Sequence, residues 1–200
     1  MKKLLASAFE MRRKYRSFKK NSKTYKIVSY SLMTFLFIYC LILIFPQFLF
    51  AHEVSHKNFD VHANQPLDES IDRVLDSAET RLLKSPIYDK NLKAHIFIAD
   101  SHAPYKFLVL RNYSFGSTIL GIGNIQINKS DINNDVVFRN TVEPNKRSLS
   151  GVIAHETMHN QLREKFGFIR YMRIPRWKDE GYCEYVAGET TISFEEGIKL

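Results

Sequence analysis

The longest feature of the hydrophobic pattern is a run without charged residues from Ile27 to Ala51. Its 25 residues are mostly Leu, Ile, Phe, Tyr and Val. A helix of that length reaches roughly 37 Å, which is more than the ~30 Å hydrocarbon core of a bilayer. Because the apolar character continues around every face, the run differs from an amphipathic surface helix. Residues 27–51 are therefore predicted to form a transmembrane signal anchor.

A cleaved signal peptide is the main alternative for this run. Its apolar region normally has about 7–15 residues and ends in small residues before the cleavage site. The run here is longer, and Leu49 rather than a small residue precedes Ala51 by two positions. An uncleaved anchor is therefore favoured.

The basic charge is concentrated ahead of the anchor. Ten of the 29 Lys and Arg residues precede position 27, with Glu10 as the one acid, whereas the remainder carries 19 basic and 20 acidic residues. The positive-inside rule then assigns the tail, residues 1–26, to the cytoplasm and the C-terminal part to the outside. The tail is expected to contact anionic lipid headgroups, and nucleic acid is not expected as a partner.

The pattern after the anchor mixes helical and strand periods. Residues 52–66 are consistent with a short connector or an edge strand. Apolar residues recur every three or four positions over 67–82, which predicts a helix, whereas the alternation over 93–99 predicts a strand. Residues 117–128 predict one or two strands bent at glycines, and 129–147 a loop. Residues 102–115 fit neither period.

Two further helices are predicted near the end of the chain. Ser148 is suited to cap a helix that continues to Phe166, with Gly167 as its stop. A second helix is predicted from Trp177 to Ala187, after Pro175. The order helix, strands, helix, helix predicts an α+β fold for residues 67–200.

The first of these helices contains the sequence HETMH at residues 155–159. A spacing of four places His155 and His159 on one face, one turn apart, where two neutral imidazoles can reach one Zn²⁺ ion. Glu156 then lies beside the metal rather than on it, in the position of a base that takes a proton from water. The motif predicts one zinc ion on the histidines, with Glu156 as the catalytic residue.

A third zinc ligand is expected from the second helix. Glu180 follows His159 by 21 residues, and Glu184 lies one helical turn further on. Glu180 is the candidate ligand. Glu184 is the candidate acceptor for the second nitrogen of a ligand histidine, which would fix its tautomer. The alternative is that the two carboxylates form only a solvated helix face.

HExxH followed about twenty residues later by W-x-x-E-G-x-x-E-Y resembles the gluzincin branch of zinc metallopeptidases, which includes the thermolysin-like and aminopeptidase N-like families. The resemblance implies zinc bound by His155, His159 and Glu180, with Glu156 catalytic and a peptide or protein as substrate. It also implies a zincin-like core, in which an active-site helix lies near a mixed sheet.

The resemblance also bears on the residues around the zinc ligands. It implies that Glu184 orients the first histidine and that the strand ahead of the helix, taken as Gly121–Asn128, pairs with an extended substrate. The alternative for Gly121–Asn128 is a plain strand of the sheet. Gln161 departs from the apolar residue common at its position. The residue that stabilises the transition state is not identified; the candidates are Tyr171, Tyr182, Tyr185, His102 and Arg173.

Two other features have a simpler interpretation. A second HExxH sequence, at residues 52–56, follows directly on the anchor and has no W-x-x-E-G partner, so it is expected to be a polar collar at the membrane surface. Cys183 is expected to be a packed small side chain rather than a nucleophile.

The hypothesis favoured by the sequence is a membrane-anchored, extracytoplasmic zinc metallopeptidase. One alternative is a non-catalytic, zinc-stabilised interaction domain, which would have no use for Glu156. Another is a membrane adaptor in which the tail and the anchor carry the function.

Overall fold

A computed structural model of the chain describes residues 10–17, 19, 22–110, 113–119, 121–143 and 145–189. The chain divides into two compact units, residues 1–45 and residues 46–200. The first contains a long apolar helix. The second contains a mixed β-sheet with helices packed against it. An α+β fold with a mixed sheet, preceded by an apolar helix, is thereby confirmed.

Helix α1, Lys23–Ile44, is the only described helix that is long and apolar enough to cross a membrane. The side chain of Ser22 caps its N-terminus, and none of its own side chains is buried. Its 22 residues rise about 33 Å. Pro46 cannot continue a helix, because it lacks an N–H and clashes with the preceding turn. The predicted segment 27–51 is therefore helical only as far as Ile44, and a 3₁₀ turn at Pro46–Leu49 follows.

A five-stranded sheet forms the centre of the second unit. In chain order its strands are β1 (His52–His56), β2 (Phe59–Ala63), β3 (Ala94–Ile98), β4 (Gly116–Thr118) and β5 (Ile125–Ile127). Their spatial order is β1-β2-β3-β5-β4. The three central strands are parallel to one another, and the two edge strands are antiparallel to their neighbours. The two hairpins thus lie at opposite edges of the sheet.

Within residues 52–66, positions 52–56 and 59–63 are strands of this sheet, so the segment is more than a connector, and the edge-strand interpretation describes only β1. All five residues of β2 are buried. Two of them are polar, which hides the strand from a hydrophobicity pattern. Asp60 forms an ion pair with Lys93 at 3.0 Å, and His62 stacks on Phe97 with ring centroids 4.8 Å apart.

Helix α2, Glu69–Leu82, forms where its period predicts. Its N-cap is Asp68, whose side chain accepts a hydrogen bond from the backbone N–H of Ser70 at 2.9 Å. Its apolar side chains at Ile71, Val74, Leu75, Ala78 and Leu82 are buried. In the stretch 102–115, which fits neither period, His102–Val109 forms helix α3.

Residues 129–147, predicted as a loop, contain most of a small antiparallel sheet. Its strands are β6 (Ser130–Asp131), β7 (Val136–Phe138) and β8 (Lys146–Ser148). Each has only two or three residues, which is too short to establish a period of two. The β6–β7 turn depends on Asn134, whose side chain bonds to Asp131, and on the positive φ of Asp135.

Three helices complete the second unit: α4 (Leu149–Phe166), α5 (Phe168–Tyr171) and α6 (Arg176–Ala187). Ser148 caps α4 as predicted, since its Oγ accepts from the N–H of Gly151 at 3.0 Å. Gly167, with φ of 73°, ends α4. Helix α4 contacts α2 on one side and α6 and β4 on others. It is therefore the central helix of the fold.

Candidate metal centre

The histidine pair of the HETMH sequence lies on α4 as the spacing predicts. The Nε2 atoms of His155 and His159 are 3.2 Å apart, and the two rings are nearly perpendicular. Both side chains are almost completely enclosed. Their approach follows from the helix itself, because residues four apart face the same direction one turn apart.

Glu180 on α6 brings the third ligand atom to the pair. Its Oε2 lies 3.5 Å from Nε2 of His155 and 3.9 Å from Nε2 of His159. Ligands on a tetrahedral zinc ion at about 2.0–2.1 Å are about 3.3 Å apart. Two of the three separations are therefore within a few tenths of an ångström of that value, and the third closes with a shift of about half an ångström.

The chemistry of the donor set fits zinc as well as its spacing does. Two imidazole nitrogens and one carboxylate oxygen leave a fourth tetrahedral position open, which is the arrangement of catalytic rather than structural zinc sites. The hydrogen bond to His155 lowers the pKa of Glu180 to about 2, although burial opposes it. Glu180 is therefore anionic at neutral pH and attracts a cation.

The second nitrogen of His159 contacts a cluster that the sequence did not predict. Its Nδ1 lies 3.1 Å from Oδ1 of Asp179, 3.3 Å from the Tyr171 hydroxyl and 3.4 Å from Sγ of Cys183. The Tyr171 hydroxyl also donates to Oδ2 of Asp179 at 2.9 Å. A carboxylate on the second nitrogen fixes the tautomer, with the proton on Nδ1 and the Nε2 lone pair directed to the metal position.

The same contacts govern the protonation of His159 in the metal-free protein. Burial disfavours the charged imidazolium, but the hydrogen bonds to Asp179 and Cys183 outweigh it and raise the pKa of His159 to about 11. Burial also raises the pKa of the Cys183 thiol to about 11. Cys183 is thus a buried thiol packed against an imidazole, in keeping with the packing role expected of it.

Glu184 has a different partner from the one predicted. It forms a two-pronged ion pair with the Arg147 guanidinium, with N–O distances of 3.1 and 3.0 Å. Its Oε1 is 3.9 Å from Nδ1 of His155, which is too far for a hydrogen bond, and that buried nitrogen has no hydrogen-bond partner among the described residues. Glu184 therefore lies near His155, the predicted partner, but both carboxylate oxygens of Glu184 accept hydrogen bonds from Arg147.

Glu156 lies beside the ligand set and is held by β4. Oγ1 of Thr118 lies 2.8 Å from Glu156 Oε2 and 2.9 Å from the backbone oxygen of Glu156. Gly116 allows β4 to pack closely against α4, because a Cβ at this position would be 2.9 Å from Glu156 Cγ. Glu156 is nearly buried. Its carboxylate is thus fixed at the edge of the sheet.

A cleft of about 590 Å³ is bounded by β4, α4 and α6. It is lined by Glu156 and by all three candidate ligands, and several arginines lie around it. Within the part of the chain that the structure describes, strand β4 has a sheet neighbour on one side only, whereas β5 is paired on both sides. Gly121–Asn128 therefore contains β5, a strand paired on both sides, which fits the alternative of a plain sheet strand. Among the described strands of this sheet, the one beside the cleft with an unpaired edge is Gly116–Thr118.

The buried glutamine of α4 has a structural role. The side-chain oxygen of Gln161 accepts from the backbone N–H of Asp89 at 2.9 Å, and its amide donates to the Asp89 carbonyl at 3.1 Å. Both polar atoms of the side chain are thereby satisfied. Gln161 stands where the families of the resemblance commonly have an apolar residue. Its side chain holds the loop at Asp89 in place and does not alter the metal site.

Of the five transition-state candidates, only Tyr171 lines the cleft, and it is bonded to Asp179. Tyr182 bonds to Ser85 and His102 to Asn128, whereas Tyr185 and Arg173 are exposed. The cleft lining also includes Tyr113, Arg139 and Arg163, which the sequence did not single out.

The upstream HExxH sequence is on a strand, β1, rather than on a helix. His56 pairs with Asp72 and Asp76 of α2. Among the described residues, the groups able to hold a metal ion are His155, His159 and Glu180, and His159, Asp179 and Cys183. The second group shares His159 with the first, and its other two members, Asp179 and Cys183, are the residues that contact Nδ1 of His159. Residues 52–56 are in neither group.

Comparisons with known proteins add no further constraint. No protein-family model matches the chain, and no curated protein or solved structure is significantly similar to it.

Proposed function

We propose that this protein is a zinc metallopeptidase held at a membrane by its N-terminal helix. The observation that carries the proposal is the convergence of three ligand atoms, from His155, His159 and Glu180, to within 4.8 Å of one another. Glu156 lines the same cleft but stays outside the ligand set. A metal site that only stabilised a fold would have no need of that fourth side chain.

Glu156 is the proposed general base. A zinc ion in this site would supply Lewis acidity, which lowers the pKa of water toward 7 and polarises a scissile carbonyl. Glu156 accepts the proton of the attacking water and then donates it to the leaving amine. Thr118 holds one carboxylate oxygen of Glu156 at 2.8 Å, so the other is left for this proton.

The residues behind the ligands support them in this role. Asp179 orients His159 through Nδ1, and Tyr171 donates to the other oxygen of the same carboxylate. Arg147 and Glu184 form an ion pair behind His155. Asp179 thereby holds the imidazole of His159 in the rotamer that metal binding requires and so reduces the entropy lost on binding.

The unpaired edge of β4 is the proposed binding site for the substrate backbone. An extended peptide would add to the sheet there, and its main-chain groups would bond to those of Gly116–Thr118. Thr118 would place that peptide directly beside Glu156. Main-chain recognition of this kind requires an extended, unfolded segment of polypeptide as the substrate.

Helix α1 is the proposed anchor. The ten basic residues that precede position 27 favour a cytoplasmic N-terminus, which puts residues 46–200 on the extracytoplasmic side. The same basic residues are proposed to contact anionic lipid headgroups. The enzyme would then act on peptides or proteins outside the cytoplasm.

The test is hydrolysis of a peptide library by the full-length protein in nanodiscs, with zinc supplied. Glu156→Gln should bind zinc normally and lose essentially all activity, because the amide cannot accept the proton. Glu164→Gln, an exposed position on the same helix, is the matched control and should remain active. If all three forms bind zinc but none shows hydrolysis that depends on Glu156, the result would favour the non-catalytic, zinc-stabilised interaction domain.

A further inference from the structure

An exposed apolar segment joins the helix of the two histidines to the helix of Glu180. It comprises residues 165–178, called the docking segment here, all of which are exposed except the half-buried Tyr171 and Ile174. Its large exposed apolar side chains are Phe166, Phe168, Ile169, Met172 and Trp177. Ile169 is 69% and Trp177 72% exposed. A cluster of this kind in a water-soluble domain indicates a contact surface.

The same segment carries a high local positive charge. Its sequence, KFGFIRYMRIPRWK, contains five basic residues and no acidic one, although the chain beyond residue 26 is close to neutral. Among the described residues, Arg176 is the one member with an ion pair, to Glu180 at 3.5 Å. Lys165, Arg170 and Arg173 have none within that part of the chain. The surface therefore presents cationic groups between its apolar side chains.

We propose that the docking segment binds the surface of the membrane in which the protein is anchored, with its apolar side chains between anionic lipid headgroups. Aromatic and aliphatic side chains combined with Lys and Arg, without acids, are the composition of interfacial membrane-binding segments. Tryptophan favours the headgroup region in particular.

The length of the connection to α1 supports lipid as the partner. Seven residues, 45–51, separate the end of α1 from the start of β1, and they reach at most about 25 Å when extended. A domain tethered this closely meets its membrane at a high effective concentration, so a modest intrinsic affinity is enough for docking. This inference rests on the proposed membrane anchor but not on the proposed peptidase chemistry.

Docking would also determine where the cleft opens. Tyr171 and Arg176 belong to the docking segment and line the cleft together with Glu180. The entrance of a docked domain is therefore next to the bilayer, where it can admit polypeptide close to the membrane surface.

Trp177 is the only tryptophan of the chain and reports directly on docking. The full-length protein is reconstituted in vesicles of phosphatidylcholine with phosphatidylglycerol, and its membrane association is checked by flotation. Tryptophan emission is then recorded with and without phosphatidylcholine brominated near the headgroup end of its acyl chains. Docking predicts blue-shifted emission that brominated lipid quenches strongly.

Matched variants separate docking from mere proximity. In Arg170→Gln/Arg173→Gln the ratio of docked to undocked protein should fall about 30-fold, because each basic residue near an anionic surface contributes roughly fivefold. Phe168→Ser/Ile169→Ser should also release Trp177. The control Leu83→Ser/Lys90→Gln removes an exposed apolar and an exposed basic side chain outside the segment and should leave quenching unchanged.

The outcomes distinguish the two proposals. A protein that does not float with vesicles would contradict the anchor and the docking surface together. If the protein floats stably with vesicles but the Trp177 emission is neither blue-shifted nor quenched, the docking proposal alone would be overturned. Emission that is blue-shifted but not quenched by brominated lipid would also overturn it, since the partner would then be a protein or a second copy of the chain.

Discussion

Gly116 is the position at which the packing of β4 against helix α4 can be perturbed most selectively. A Cβ built there lies 2.9 Å from both Cγ of Glu156 and Cγ1 of Val152, whereas ordinary van der Waals contact begins at 3.4 Å. A Gly116→Ala substitution must therefore move the strand or the Glu156 side chain by about half an ångström, as expected for overpacking. The three ligand side chains make none of these contacts.

The size of the effect follows from this overlap. Overpacking of this kind costs about 1–3 kcal/mol, which for a domain of this size lowers Tm by about 2–12 °C. A displacement of about 1 Å at a reacting group can reduce the rate about 100-fold, so a shift of half that size is expected to lower kcat/KM roughly tenfold. Zinc affinity should stay at the wild-type value.

Gly181→Ala is the matched control, since a Cβ at Gly181 on α6 meets no atom within 4 Å. Alanine in an exposed helical position should stabilise the protein by about 0.5–1 kcal/mol relative to glycine. Both variants are compared by thermal denaturation, zinc titration and peptide hydrolysis. A Gly116→Ala protein that melts at or above the wild-type temperature with wild-type hydrolysis would refute the close packing of β4 on Glu156.

Three other changes test the surroundings of the ligands. Asp179→Asn removes the carboxylate on the second ligand histidine and should weaken zinc binding about 10–100-fold, measured by chelator competition at fixed pH; unchanged affinity would remove its orienting role. Arg147→Ala leaves Glu184 without its cation and should lower the free energy of unfolding by about 3 kcal/mol in urea titrations, and a loss near zero would contradict this. The pKa of Glu180 is lowered to about 2 in the folded, metal-free protein, so its ionised form stabilises the fold above pH about 4.5 and this contribution disappears as the pH falls toward 2. Wild type and Glu180→Gln should therefore converge in stability over that range, and a difference that does not change with pH would contradict the assignment.

The helix pair that carries the site could be predicted because its signals are local. Ser148 and Gly167 mark the ends of α4, and the spacing of four between His155 and His159 fixes their common face on any helix. The approach of Glu180 could be proposed because it follows at a distance that allows α6 to fold back on α4. These features require no knowledge of the sheet.

The features that the sequence did not reveal depend on contacts between distant parts of the chain. Strands β6–β8 are too short for a period, and the two polar residues inside β2 mask its burial. Asp179 is adjacent to Glu180, but its role becomes visible only when α6 turns it toward His159. The sequence predicts a histidine as the partner of Glu184, because the pairing with Arg147, 37 residues earlier, leaves no local signal.

The identity of the edge strand was missed for a related reason. Residues 117–128 were expected to hold one or two strands, and two are present, but only the pairing order shows which of them lies at the edge. A hydrophobic pattern reports that a strand is buried on its faces. It carries no information on which neighbours its backbone bonds to.

The most direct test of the metal centre is the zinc content of the purified full-length protein, measured by elemental mass spectrometry after dialysis against limiting chelator. The wild type and Glu164→Gln should each retain one zinc ion per chain, whereas Glu180→Gln and a His155→Ala/His159→Ala double variant should lose it while remaining folded. Wild-type protein that is folded but retains no zinc, or Glu180→Gln protein that binds zinc as tightly as wild type, would contradict the proposed coordination.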